Sequence, residues 1–332
     1  MSLSIPKKSN MQFSILPKQY ASVDGEILYT FDQDQPQTVD FRVIEQSSNR
    51  LLGAKRSTAS GSVAFNIAPI VRNQISIVPR VSRTGFLSSG SNRTVTVRVE
   101  AVESDTGEVI DTADERSFLA GDLADTNPGI RTTMPRDRII PADCVDEITL
   151  LTNSDCTITV TAQNADTTIA ESYRAEGAGC HIFLVSPGDF PECGTITIDA
   201  GSFGEIRYTV VPASDEFARL AWLSHVGSVE QYSFPVVRST LLRSSKQRSE
   251  GLEGHLVTAV DTSREMTFVS AFEREEVLEA LAEILSSRNV WIFRFGGYVP
   301  LDVLSEESVI RQSGSLCTTE IVARPKNNQQ WI

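Results

Sequence analysis

Short runs in which apolar and polar residues alternate recur along most of the chain, and this pattern constrains the fold more than any other feature. A period of two is typical of a half-buried strand. Most runs end at Asp, Asn, Gly or Ser, and turn residues at intervals of about eight to twelve residues indicate antiparallel sandwiches or barrels rather than βαβ units. The clearest runs are Gly25–Phe31, Thr38–Ile44, Val63–Ile67, Gln74–Val78, Arg93–Val102, Glu147–Thr152, Cys156–Thr161, His181–Val185, Gly194–Asp199 and Glu205–Val211.

The chain has 332 residues, more than one hydrophobic core usually serves. We therefore predict a mainly β protein with two antiparallel β-sandwich domains followed by a β-barrel or sandwich domain that carries one amphipathic α-helix. The predicted segments are an N-terminal arm at 1–12, a β-sandwich with a basic surface at 13–134, a small Cys-containing β-sandwich at 135–212, and the third β domain at 213–332.

Helical periodicity is clear in the third domain. Apolar residues recur at helical spacing from Val277 to Leu285, with glutamates mostly on the other face. Ser270 and Glu273 have the spacing of a capping box, so we predict a helix over 271–288. The preceding segment, 216–235, has spacing compatible with a short helix, but Gly227 and the alternation of Tyr232 and Phe234 favour strand, turn and strand.

Charge is unevenly distributed. The stretch from Gln46 to Val99 has eight basic residues and no Asp or Glu, although the whole chain has a net charge of −13. Complementary charged surfaces orient association, so one hypothesis is head-to-tail packing on copies of the chain or on a charged neighbour. The alternative is that these cations lie dispersed on different faces of a sandwich.

A second acid-free stretch extends from Gln231 to Ser249. It is interpreted either as an exposed, adaptable arm that lies on a neighbour or as an ordinary flexible loop. The residues predicted to form interfaces in the two stretches are Arg72, Arg80, Arg83, Arg238, Arg243, Lys246 and Arg248.

Motifs that carry chemistry are missing from the sequence. The histidines His181, His225 and His255 stand apart from any G-x-S-x-G or H-E-x-x-H pattern, and there is no phosphate-binding loop. We predict a protein that is not an enzyme and uses no cofactor. A glycosidase remains an alternative, because it needs only two carboxylates across a cleft.

Metal and nucleic-acid binding have partial signals. Four of the five cysteines fall between Cys144 and Cys193, a spacing open to disulfides, to zinc with His181, or to buried thiols, which we favour. The acid pairs at Asp32–Asp34 and Asp111–Glu115 lack the pattern of a calcium loop and are interpreted as solvated turns. Few aromatic residues interleave with the basic stretch, which disfavours nucleic-acid binding.

No apolar run has the length of a membrane helix, and the start of the chain lacks the apolar region of a secretory signal. We therefore expect a protein kept in a cytosol or carried inside a larger particle, with no membrane partner.

Three segments give the chain a resemblance to a known class. Ala218–Phe234, together with Asn66–Arg72, resembles structural proteins from the tails of tailed bacteriophages. The closing part, Trp291–Arg324, is similar in layout to the β-barrel-plus-helix domains of tail tubes, distal-tail rings and baseplate hubs. The resemblance implies a ring-forming virion component of the distal-tail, tail-tip or baseplate type, assembled in the host bacterial cytoplasm. Its partners would be copies of itself and other tail proteins, and nucleic acid would meet it only by passing through a lumen.

The first functional hypothesis is therefore a phage tail structural protein that acts by self-association. The second is a carbohydrate-binding or adhesive β-sandwich protein, for which a host glycan would be the ligand. Exposed aromatic residues would stack on sugar faces in that case, and the candidates are Tyr20, Tyr173, Trp222 and Trp331.

Overall fold

The structure is a computed structural model of the full chain. It describes residues 11–87, 93–121, 127–214, 216–252, 254–307, 311–313 and 316–327. Residues 1–10 of the predicted N-terminal arm, and Trp331, lie outside the described residues.

The predicted fold class is confirmed. The chain is mainly β, and its sheets form sandwich and barrel domains that include a nearly closed barrel. Contacts divide the chain into two compact units. The first comprises residues 1–77 and 90–127, and the second comprises residues 78–89 and 128–332.

The first unit is one seven-stranded sheet with a core rich in aromatic side chains. The strands run in the order β1-β3-β6-β8-β2, with β4 on β3 and β7 on β6. In the core the rings of Phe41 and Phe65 stack with centroids 4.1 Å apart, and Phe13 meets Phe31 edge to face at 5.2 Å. The elements are β1 (Gln12–Ile15), β2 (Ala21–Ser22), β3 (Leu28–Glu45), β4 (Leu51–Asn66), α1 (Ala68–Arg72), β6 (Thr94–Glu103), β7 (Val109–Thr112) and β8 (Arg116–Leu119).

The second unit begins with a sandwich of two sheets, ordered β10-β16-β15-β12-β13 and β5-β14-β11-β9. Between them lies a mostly aliphatic core. On β12 buried residues alternate with more exposed ones, whereas every residue of β11 is buried. The strands are β5 (Gly85–Phe86), β9 (Gly129–Arg131), β10 (Asp137–Pro141), β11 (Asp146–Thr152), β12 (Cys156–Gln163), β13 (Thr168–Ala175), β14 (Gly179–Val185), β15 (Thr195–Asp199) and β16 (Glu205–Val211).

One strand of this sandwich comes from far away in the sequence. In β5, Phe86 pairs with Phe183, and Gly85 pairs with Leu184. The Phe86 and Phe183 rings meet edge to face at 5.1 Å, and the Thr84 amide donates to Asp189 Oδ2 at 2.7 Å. Residues 78–89 therefore complete the edge of a sheet whose other strands begin at residue 129.

The rest of the second unit is a third β domain with its own core around Trp222 and Phe234. Its main sheet has the order β18-β17-β21-β22-β25-β20-β19. The elements are β17 (Ala218–Leu223), β18 (Val229–Phe234), β19 (Val236–Gly251), β20 (Gly254–Val269), α2 (Glu275–Ser286), β21 (Val290–Arg294), β22 (Gly297–Val303), β23 (Arg311–Ser313), β24 (Leu316–Thr318) and β25 (Glu320–Pro325).

Two local predictions in this domain have different outcomes. The strand, turn and strand predicted over 216–235 are confirmed as the β17–β18 hairpin. The capping box is wrong, because α2 begins at Glu275, and its N-cap, Arg274, makes no side-chain capping bond. Both predicted box residues make tertiary contacts instead. Ser270 Oγ accepts from the Thr319 amide at 2.9 Å, and Glu273 Oε1 accepts from the Tyr232 hydroxyl at 2.8 Å.

Candidate interaction surface

A long two-stranded ribbon is the most distinctive surface feature of the third domain. β19 and β20 have 16 residues each and pair from Val236 with Val269 to Gly251 with Gly254. β25 pairs with β20 only over Met266–Val269, so the two strands continue alone beyond that point. We call residues 240–265 the β-ribbon, which at about 3.3 Å per residue extends for roughly 35 Å.

The β-ribbon is exposed on both faces. Almost every described side chain from Thr240 to Thr262 is exposed. The set includes large apolar side chains that a free surface rarely concentrates on one hairpin, namely Leu241, Leu242, Leu252, Leu256, Val257 and Val260. An element of this kind gains little from packing within its own chain, so its exposed apolar side chains make it a candidate interaction surface.

The sequence explains where the β-ribbon ends. Gly251 faces Gly254 at the tip. Gly254 has a φ of 106°, in the left-handed region that favours glycine. At Gly251 an added Cβ would lie 2.9 Å from Leu256 Cδ1. Gly254 is therefore favoured by its backbone conformation, and Gly251 by the close approach of Leu256.

The two faces of the β-ribbon differ in charge, because residues directly opposite each other across the strands share a face. On one face Leu242 pairs with Arg264, and Lys246 pairs with Val260. Between the Leu242–Arg264 and Lys246–Val260 pairs this cationic face has no acidic residue, and no carboxylate among the described residues forms an ion pair with Lys246 or Arg264. Its members are Leu242, Ser244, Lys246, Val260, Thr262 and Arg264.

The opposite face carries one cation and two carboxylates, which gives it a net charge of −1. Arg243 Nε lies 2.6 Å from Glu265 Oε1, and Asp261 stands opposite Ser245. Its members are Leu241, Arg243, Ser245, Asp261, Ser263 and Glu265. The β-ribbon is therefore a two-sided element, and only one side carries uncompensated positive charge.

The cationic face leads into a groove of about 350 Å³ at the base of the β-ribbon. The groove is lined by Glu216, Phe217, Val237, Thr240, Arg264, Met266, Arg294 and Phe295. Phe295 stands out because 89% of it is exposed and its φ is 53°. Phe295 and Gly296 form the two-residue turn between β21 and β22, with φ positive at both positions, where Asn-Gly is the preferred pair. A fully exposed Phe in left-handed backbone costs the free protein stability, and such strain often marks a binding position.

A second groove, of about 500 Å³, lies along α2. Its lining residues are Thr133, Met134, Pro135, His225, Glu276, Glu279, Ala280 and Glu283. Met134, Pro135 and Ala280 give it an apolar floor, whereas Glu276 and Glu279 are exposed at its rim. His225 Nδ1 lies 2.6 Å from Glu283 Oε1, and burial raises the pKa of that carboxyl despite the neighbouring imidazole.

Buried charges join the sandwich to the third domain. Arg138 Nη1 of β10 lies 3.5 Å from Glu230 Oε2 of β18, and the two side chains are 4% and 1% exposed. Glu230 also accepts from the Thr132 hydroxyl at 2.9 Å and the Thr133 amide at 3.1 Å. A second buried pair joins Arg219 of β17 to Asp146 of β11. These contacts hold the sandwich and the third domain in one arrangement, since separating them would leave charges buried and unpaired.

The predicted interface residues fall into three places. Arg72 lies on α1 of the first unit, and its Nε donates to the Val23 carbonyl at 3.0 Å and lies 3.3 Å from Asp24 Oδ1. Arg80 and Arg83 are exposed in the segment of the second unit that leads into β5. Arg243, Lys246 and Arg248 are all exposed on β19. Arg238 is also in β19, but its side chain lies outside the described part of the chain.

The acid-free stretch of the first domain does not translate into an acid-free surface. Arg56 lies 2.7 Å from Asp40 of the paired strand β3, and it holds the pKa of that carboxyl below its usual range. Arg98 lies 3.0 Å from Glu100. Neighbouring acids thus neutralise these cations locally.

The groove at Phe295 was not predicted from the sequence. Its only signal there is a Phe followed by two glycines.

The structure gives no support to disulfides or a metal site among the described residues, and little to sugar stacking. In the described residues no disulfide joins the cysteines, and no group of three His, Cys, Asp or Glu side chains could hold a metal ion. Among the proposed sugar-stacking residues, Trp222 is fully buried, and Tyr173 packs edge to face on Phe183 at 5.3 Å. Within the described residues, no helix is long and apolar enough to cross a membrane.

Comparisons with known proteins leave the chain without a family. No protein-family model matches it, and a search of curated protein sequences gives no match.

Solved structures give distant likenesses. Trypsin-activated alpha-2-macroglobulin from Escherichia coli is 10% identical, with a TM-score of 0.23 over 97% of this chain and 24% of that chain. A structure on the host cell surface retention of a 1.5-MDa bacterial ice-binding adhesin is 10% identical, with a TM-score of 0.18 over 80% and 93% of the two chains. The Dpr2 Ig1-Ig2 complex with DIP-Theta Ig1-Ig3 is 8% identical, with a TM-score of 0.20 over 97% and 90%. TM-scores this low support no functional assignment.

Proposed function

We propose that this chain is a structural component of a bacteriophage tail that self-associates into rings, of the distal-tail, tail-tip or baseplate type. The observation that carries the proposal is the β-ribbon, which extends from the third domain with both faces exposed and with apolar and basic side chains along it. Such an element contributes little to the fold of its own chain and is suited to lie on a neighbouring copy.

The construction of the β-ribbon favours contact through its faces. Two unpaired edges would otherwise invite uncontrolled strand pairing. Lys246 and Arg248 stand on the outer edge strand, and a register shift between Gln247 and Arg248 interrupts its regular pairing. Charges and bulges of this kind are the devices that natural proteins use to protect edges. The exposed apolar side chains therefore serve a surface-to-surface contact.

The buried charges between the sandwich and the third domain support an assembly role as well. A ring subunit has to hold its domains in one arrangement so that each copy presents the same geometry to the next. The Arg138–Glu230 and Arg219–Asp146 pairs do this within the second unit. In this proposal the protein has no catalytic function and acts within the virion, where it contacts copies of itself and other tail proteins.

The proposal is tested by the mass of the purified protein in solution. We expect light scattering to show a concentration-dependent oligomer that electron microscopy resolves as rings or discs, and we expect high salt to loosen it. In a truncated variant Asn-Gly joins Leu241 directly to Glu265, which keeps the base of the hairpin and removes the rest of the β-ribbon. This variant should remain folded by circular dichroism but monomeric.

Arg207→Glu provides the matched control, because this exposed residue of the sandwich lies outside the β-ribbon and should not affect association. A monomer at every concentration and salt would refute self-association. An oligomer that survives truncation would remove the β-ribbon from the mechanism. Specific binding of the monomer to glycans would instead favour the adhesive alternative.

A further inference from the structure

We infer that Phe295 and the cationic face of the β-ribbon dock into the groove along α2 of a second copy of this chain. This inference rests on the proposed self-association and names the two surfaces that meet. The first surface comprises Lys246, Arg264, Arg294 and Phe295, and it borders the groove at the base of the β-ribbon. The second comprises the apolar floor and acidic rim of the α2 groove.

Chemical complementarity supports the pairing. Phe295 is almost fully exposed beside Arg294, and the α2 groove has an apolar floor of Met134, Pro135 and Ala280. An aromatic anchor in an apolar pocket, surrounded by charged groups, is the usual arrangement of an interface hot spot. Each surface supplies what the other lacks.

Charge supports the same pairing. The rim of the α2 groove presents the exposed carboxylates Glu276 and Glu279, and Glu275 lies next to them on the helix. The cationic face carries Lys246 and Arg264, and Glu216 is the one carboxylate that lines the groove beside it. Complementary potentials of this kind fix the register and orientation of partners.

The two surfaces have no lining residue in common, so one copy can use both at once. When each copy uses its two surfaces on two different neighbours, the contact is heterologous, and its repetition closes into a ring or extends into a filament. Because the proposed assembly is a ring, the inference predicts this head-to-tail arrangement.

Two complementary charge-reversal variants provide the test. One is Lys246→Glu with Arg264→Glu, and the other is Glu276→Lys with Glu279→Lys. Each variant alone should associate at least about tenfold more weakly than the wild type, since like charges then face each other. An equimolar mixture of the two should recover association, because the reversed β-ribbon of one variant meets the reversed α2 of the other.

The control uses the opposite face of the same β-ribbon. Arg243→Glu with Glu265→Arg exchanges an ion pair in place and should leave association unchanged. Circular dichroism verifies that each variant is folded.

The position of the contact is tested separately with a photo-crosslinking benzoylphenylalanine at position 295. Crosslinks to peptides of residues 273–286 or 132–136 of another copy are expected.

The outcomes distinguish the inference from the proposed function. If the wild type associates but the mixture does not recover, and crosslinks fall on another region of the second copy, self-association stands and the α2 groove is the wrong partner. If the wild type never associates, both fail. Recovery only in the mixture, with crosslinks on α2, supports both.

Discussion

Removing the Glu230 carboxylate should destabilise the second unit strongly. In the native structure Glu230 is 1% exposed and accepts from the Ser228 hydroxyl at 2.6 Å, from the Thr132 hydroxyl and from the Thr133 amide, with Arg138 3.5 Å away. Glu230→Ala leaves the Arg138 charge buried without its counter-ion. Breaking a buried pair in this way costs about 3–5 kcal/mol.

Several details of the structure set this magnitude. In the variant Arg138 keeps hydrogen bonds to the Pro135 carbonyl at 2.7 Å and the Met134 carbonyl at 3.3 Å. These bonds still offset part of the cost of burying its charge. The partly buried Thr133 amide loses its acceptor, which costs less than the about 1–3 kcal/mol of a fully buried unsatisfied donor. These costs overlap because the groups form one network, so we expect a total of about 4 kcal/mol rather than their sum.

Urea unfolding followed by tryptophan fluorescence is the assay, because Trp222 and Trp291 are both buried in the third domain and report its unfolding. Glu205→Ala is the control, since this carboxylate pairs with Arg207 while 47% exposed and should change stability by less than about 1 kcal/mol. The double variant Glu230→Leu with Arg138→Met should be more stable than Glu230→Ala, because it removes both charges. A loss below about 1 kcal/mol for Glu230→Ala, or a double variant less stable than the single one, would refute the reasoning.

Three further predictions concern single positions. Phe295→Asn should raise the free energy of unfolding by about 0.5–1 kcal/mol, because Asn tolerates left-handed backbone, while weakening association measured by light scattering. The pKa of Glu283 is raised in the folded protein, so the folded chain holds a proton at a pH where the unfolded chain has lost it. The free energy of unfolding therefore falls as the pH rises through that window. Urea unfolding should show Glu283→Gln gaining stability relative to the wild type over the same pH range. Burial raises the pKa of Cys144 to about 11, so mass spectrometry should find it largely unalkylated by iodoacetamide at mildly alkaline pH unless urea is added.

The strands and the helix were predictable because their signals are local. Apolar and polar residues alternate along Thr94–Glu103 and Cys156–Gln163 because each strand buries one of its two sides. This pattern can be recognised without knowing which strands pair. The start of α2 was not predictable from its capping-box pattern. Ser270 accepts a hydrogen bond from Thr319, and Glu273 accepts one from Tyr232. These tertiary hydrogen bonds override the local capping preference.

Charge was the least predictable property from a sequence window. Arg56 is far from any acid in the sequence, yet strand pairing places it on Asp40, because antiparallel neighbours come from distant positions. The second basic stretch kept its exposed charges for the opposite reason. β19 pairs only with β20 in the described residues, so few side chains from elsewhere reach Lys246 or Arg248.

The strand at Gly85–Phe86 has a consequence for how this protein can be made and inherited. It is synthesised within the sequence of the first unit but completes a sheet of the second. A gene fragment that starts at residue 128 would encode the second unit without the partner of Phe183 and Leu184, and its product would expose an apolar sheet edge prone to aggregation. Recombination at the boundary near residue 128 would likewise separate β5 from the sheet that it completes. We expect them to be exchanged between genomes as one cassette, with residues 78–89 and the strands they complete varying together.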